Sequence, residues 1–150
     1  MNDILLDVDL YTDGACSGNP GAGGWGYVLK CKNKEKQASG FQAETTNNQM
    51  ELTAVIEGVK AINKPCNLTI YTDSAYVFNA FDQNWIGTWQ NNGFKNSQKK
   101  EVANKNLWLE LIDVLKIHKY KFIKVKGHAD NVYNNICDKL ATTAIKNNKQ

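Results

Sequence analysis

Asp9-Leu-Tyr-Thr-Asp13-Gly14 and Thr69-Ile-Tyr-Thr-Asp73-Ser74 are two versions of one pattern, in which β-prone residues run into an aspartate followed at once by a turn or helix-start residue. Each reads as a buried strand ending in a carboxylate. Between them, Trp25 to Cys31 and Glu35 to Gln42 read as antiparallel strands joined at Lys32-Asn33-Lys34, with residues 18–24 (GNPGAGG) as the preceding turn. A helix is predicted from about Asn48 to Asn63, because Val55, Gly58, Val59 and Ile62 recur at helical spacing and Pro65 stops it. That helix serves as a right-handed crossover, so the two Tyr-Thr-Asp strands become parallel neighbours. Asp13 and Asp73 then stand side by side, where ligands bind open α/β sheets.

Working outward, Ser74 is an N-cap for a short helix to about Phe81, and a second short helical segment holds Trp85 and Trp89. Asn91-Asn92-Gly93 breaks the pattern. From Asn104 to His118 the apolar set Leu107, Trp108, Leu111, Ile112 and Leu115 marks an amphipathic helix. Lys121 to Lys126 forms a last strand, and Asn134 to Lys146 a closing helix. The expected order is βββαβααβα, an α/β chain built on a five-stranded mixed sheet.

The chain has 150 residues, 42% apolar and 22% charged, which fits one globular domain over 1–150 and excludes collagen-like, disordered or disulfide-packed classes. No apolar run approaches the roughly 20 residues needed to cross a bilayer, and the start, MNDILLDVDL, carries three aspartates and no basic region. No membrane partner, a cytoplasmic location and reduced thiols at Cys16, Cys31, Cys66 and Cys137 are expected. A monomer is expected too, since no heptad is evident.

Charge is uneven. From Lys95 to Lys126 nine lysines face three acids, a net +6, so the remainder of a chain of net +3 carries −3. A basic segment beside an acidic remainder suits a protein that grips a polyanion with one part and cations with another, although a solvated lysine-rich helix has the same charge. There is no arginine, so every cationic phosphate contact is a lysine point charge.

Two acids occupy helix faces that should pack inward. Glu51 precedes Val55, Gly58 and Ile62 by four, seven and eleven residues, and Asp138 precedes Ala141 and Ile145 by three and seven. Unpaired buried carboxylates are costly. Either lysines or an exposed edge relieve them, or Asp13, Glu51, Asp73 and Asp138 converge as oxygen ligands for hard divalent cations. Two Mg²⁺ ions, or Mn²⁺ in their place, would balance four carboxylates and suit in-line phosphoryl displacement.

The segments YTDGACSGNPGAGGWG, TTNNQMEL, YTDS, VKGHAD and CDKLA, in this order and spacing, strongly resemble type I ribonuclease H over nearly the whole chain. The resemblance implies an RNase H-like fold with sheet order 3-2-1-4-5. It also implies endonucleolytic hydrolysis of the RNA strand of RNA/DNA hybrids, leaving 5′-phosphate and 3′-hydroxyl ends. By the same resemblance, Asp13, Glu51, Asp73 and Asp138 match metal ligands, and His128 matches a loop histidine that assists proton transfer or product release. A histidine in the Lys126-Gly127-His128 loop also titrates near neutrality on its own chemistry, although a lone loop histidine is ordinarily just exposed.

Cys16, Asn19, Asn47 and Asn48 match hybrid-contacting positions, and Thr46 matches a contact to a DNA-strand phosphate. Neutral asparagines suit the sensing of 2′-hydroxyls. Trp85, Lys95, Lys99 and Lys100 fall in the stretch resembling a basic protrusion, where aromatics and lysines track a phosphate backbone. Asn91 and Asn92 replace basic residues there and Glu101 interrupts the lysines, so weaker but salt-sensitive binding is expected. Two other readings remain open at this point: a non-catalytic hybrid or double-stranded RNA binding module, and a metal-dependent exonuclease of the same superfamily.

Overall fold

The computed structural model describes residues 5–126 and 131–148. Its centre is β1 (Asp7–Gly18), whose segment from Leu10 to Gly14 is buried on both faces, as expected of a strand covered above and below. On one side β1 pairs antiparallel with β2 (Gly21–Cys31), from Asp9 opposite Lys30 to Gly18 opposite Gly21, and β2 pairs with β3 (Lys34–Thr45). On the other side β1 pairs parallel with β4 (Asn67–Thr72), which pairs parallel with β5 (Lys119–Lys124). The sheet order is β3-β2-β1-β4-β5, the expected 3-2-1-4-5.

Five helices complete the described chain: α1 (Asn47–Lys60), α2 (Ala75–Asp82), α3 (Trp85–Asn91), α4 (Lys105–Leu115) and α5 (Val132–Asn148). The order is therefore βββαβαααβα, in which the short helical segment expected at Trp85 and Trp89 is a helix that the four-helix string leaves out. The reason is local: the Asn84 side chain accepts a hydrogen bond from Gly87 N–H and starts α3 as a helix of its own. A second correction concerns residues 21–24, which belong to β2 and not to a turn. Their glycines are there for packing: a Cβ on Gly24 would lie 2.3 Å from the Ala141 carbonyl oxygen of α5.

The larger core lies where Leu10, Leu68 and Ile70 of the sheet meet Leu52, Val55, Ile56 and Val59 of α1 and Trp108, Leu111 and Leu115 of α4. Trp108 is fully buried. Tyr11, Val28 and Cys137 pack on the opposite face, beneath α5. Full burial of each large aliphatic side chain stabilises by about 1.5–3 kcal/mol. The four cysteines are free thiols. Among the described residues, no helix is long and apolar enough to cross a membrane.

Candidate active site

Past Tyr11 the central strands part. The parallel ladder ends at Tyr11 opposite Tyr71, while β1 continues beside β2 as far as Gly18. Asp13 thus lies in the middle of β1, not at its end, yet it still flanks an opening shared with Asp73, which directly follows β4. Buttressing this fork, Thr12 Oγ1 donates to the Tyr71 carbonyl at 3.3 Å, and the Asn134 amide of α5 donates to the Thr12 carbonyl at 3.4 Å.

Helix α1 brings the third acid. Thr46 caps it, with its side chain accepting from Gln49 N–H while the Gln49 side chain accepts from Thr46 N–H. Close approach to β1 requires Gly14, because a Cβ there would lie 2.4 Å from the Met50 carbonyl carbon and 2.5 Å from Glu51 N. Each of Asp13, Glu51 and Asp73 consequently offers a carboxylate oxygen within 4.8 Å of the other two. Asp13 Oδ1 accepts from Gly14 N–H at 2.9 Å. Glu51 is only 4% exposed, and its Oε2 is buried with no hydrogen-bond partner among the described residues.

The electrostatics follow from that geometry. Burial raises the Asp13 carboxyl most and the Asp73 charge next, a hydrogen bond from Glu51 opposes them, and Asp138 adds a further upward push, leaving Asp13 at about 8. Glu51 is raised well above its ordinary value by burial and then by the charges of Asp13 and Asp73. The neighbouring Cys137 thiol is raised chiefly by its burial, which leaves it unreactive. Such crowding is unfavourable for bare carboxylates, and hard oxygen donors with one orphaned buried atom fit a divalent cation. Asp138 stands outside this three-acid group: it is half-buried on α5, close enough for its charge to act on Asp13.

The remaining sequence-predicted residues fall into two places. Beside the acids, Cys16 Sγ donates to the Thr45 carbonyl at 3.4 Å and Asn19 Oδ1 accepts from Asn47 N–H at 3.1 Å, so Cys16, Asn19, Thr46, Asn47 and Asn48 gather where the β1–β2 turn meets the start of α1. Lys95, Lys99 and Lys100 are exposed on the segment between α3 and α4. Trp85 is half-buried, packed on the main core and paired with Trp89 at 6.2 Å. His128 lies outside the described residues.

Sequence reasoning missed Gly14 and Asn134. A glycine directly after the first aspartate looked like ordinary turn chemistry, and only the inward stripe of α5, which also runs through Cys137 and Ala141, marks Asn134 as buried.

Comparison with known proteins agrees with this geometry. The RNase H family model matches residues 6–146. A ribonuclease H of Thermoanaerobacter sp. (strain X514) is 57% identical over 148 residues, covering 99% of this chain and 96% of that protein. One from Acetivibrio thermocellus is 57% identical over 146 residues, covering 97% and 99%. Among solved structures, LC9-RNase H1, described as a type 1 RNase H with the type 2 active-site motif, superposes with a TM-score of 0.88 at 27% identity, covering 100% of this chain and 77% of that one. A family match across nearly the whole length, relatives identical at more than half of their positions, and three acids meeting at the fork of the sheet lead to one assignment: the chain belongs to the ribonuclease H family.

Proposed function

We propose that the chain, as a single domain over residues 1–150, cleaves the RNA strand of RNA/DNA hybrids internally, with Asp13, Glu51, Asp73 and Asp138 holding two Mg²⁺ ions, for which Mn²⁺ can substitute. The observation that carries this reading is the meeting of Asp13, Glu51 and Asp73 within 4.8 Å, one of them with an orphaned buried oxygen. Bound there, hard cations would supply positive charge to the attacking and leaving oxygens of an in-line phosphoryl displacement, giving 5′-phosphate and 3′-hydroxyl ends.

The chain's own residues do the rest. Glu51 is fixed by α1 and Gly14, so the site is preorganised. Asp138, half-buried at the rim, completes the acid set. Asn19, Asn47 and Asn48 offer neutral donors and acceptors to 2′-hydroxyls, Cys16 lies beside them, and Thr46 contacts the DNA strand. Lys95, Lys99 and Lys100 neutralise DNA phosphates, with Trp85 flanking them. His128 moves a proton or aids product release. The enzyme works as a cytoplasmic monomer.

The test is Asp13→Asn and Asp73→Asn, each assayed on a hybrid. Both should lower cleavage at least about a thousandfold while the metal-free variants melt no lower than the wild type, because each takes one ionisable acid out of a crowded cluster. Turnover within a few-fold of wild type in either variant would remove these acids from the reaction.

A further inference from the structure

Gln49, Asn104 and Tyr76 come from three separate parts of the chain and meet in one run of hydrogen bonds. Gln49 Nε2 donates to Asn104 Oδ1 at 3.1 Å, and Asn104 Nδ2 donates to the Tyr76 phenol oxygen at 3.1 Å. The fully buried Trp108 anchors the far end, its Nε1 donating to the same phenol oxygen at 3.2 Å. At the near end, Gln49 Oε1 accepts from Thr45 Oγ1 at 2.8 Å and from Thr46 N–H at 3.1 Å. Gln49 is two residues before Glu51, and Tyr76 is three after Asp73. Asn104, in the left-handed conformation at φ 61°, ends the lysine-bearing segment and precedes α4.

That segment is tied to itself and to the core at several points. Val102 N–H donates to the Phe94 carbonyl at 2.9 Å, Asn96 N–H to the Lys100 carbonyl at 2.7 Å, and both Phe94 and Val102 are buried in the main core. Its position relative to the acids is set by the buried Phe94 and Val102 together with how its Asn104 end is held. On the proposed hybrid reading, we infer that Tyr76 is a positioning residue: through Asn104 and Gln49 it sets the spacing between the lysines that grip one strand and the acids that cut the other.

A spacing device of this kind governs how well a substrate engages both places at once, so its loss falls on KM and leaves the chemical step alone. Tyr76→Phe keeps the ring packed against Trp108, 5.3 Å between centroids, and deletes only the oxygen. The expected result is a rise of about fivefold in KM for the hybrid, from the loss of hydrogen bonds worth a factor of that order, with kcat within twofold of wild type. Gln49→Leu should raise KM similarly, and the double variant should raise it no further than the larger single effect, because either change already breaks the run.

Wild-type cleavage of the hybrid is measured first; its absence would fail the underlying hybrid reading. With wild-type cleavage present, an unchanged KM in Tyr76→Phe, a fall in kcat alone, or multiplicative effects in the double variant would overturn the positioning role.

Discussion

Asp13 and Glu51 owe their closeness to a hydrogen atom. Gly14 carries no Cβ, and any other residue would drive one to 2.4 Å from the α1 backbone, so Gly14→Ala should push α1 outward at a cost of about 3 kcal/mol and pull Glu51 off the site. Denaturant unfolding beside a hybrid-cleavage assay checks this, and wild-type stability would mean that α1 can retreat freely. A different residue sets acid sensitivity. His118 is 8% exposed, its Nδ1 accepts from Cys66 N–H at 3.2 Å, and burial lowers its pKa below the ordinary 6.5. Between that lowered value and 6.5 the unfolded chain binds the extra proton, so the His118 contribution to stability is complete above about pH 6.5 and is lost as pH falls through the folded value. His118→Asn keeps an acceptor without the titration. The wild type should lose stability relative to this variant below pH 6.5, whereas parallel pH curves would contradict the assignment.

Among the elements, α1 brings Glu51 to the acid cluster, and the segment before α4 bears the lysines proposed to grip the DNA strand. Thr46→Ala removes the cap of α1 and should cost about 1 kcal/mol in unfolding free energy, more than Asn48→Ala on the exposed first turn. Neutralising Lys95, Lys99 and Lys100 together to Gln should make the salt dependence of hybrid binding shallower by up to about three units of log K per log salt, roughly one per phosphate contact. An unchanged slope would place the strand elsewhere. The elements also show why reading the sequence worked where it did. Apolar periodicity and Ser74 located helices, but β1 was cut short at Asp13, since nothing in the sequence says that one ladder ends at Tyr11 while the other runs to Gly18. Residues 21–24 looked like a turn because glycine permits turns and tight helix packing alike. The Gln49–Asn104–Tyr76 run joins residues far apart in sequence, which no local pattern encodes.

On the scale of the whole molecule, the two Tyr-Thr-Asp strands make β1 and β4 parallel neighbours, the full order 3-2-1-4-5 is implied by the family resemblance alone, and the convergence of Asp13, Glu51 and Asp73 follows from that adjacency with the burial of Glu51. Asp138 was legible only as an acid on an inward stripe; its half-buried place at the rim comes from the docking of α5. The acid cluster also ties cation binding to protons. With Asp13 near 8, the metal-free protein at pH 7 holds a proton that a cation must displace. Calorimetric Mg²⁺ titrations in buffers of different ionisation enthalpy should report proton release on binding, and buffer-independent heats would contradict the crowded-acid account. The most direct test of the central claim is cleavage of an internally labelled RNA/DNA hybrid, beside matched double-stranded RNA and DNA, with Mg²⁺, Mn²⁺ or EDTA. Internal cuts confined to the hybrid's RNA and abolished by EDTA are predicted; tight hybrid binding without cleavage in either metal, or products released only from strand ends, would contradict it.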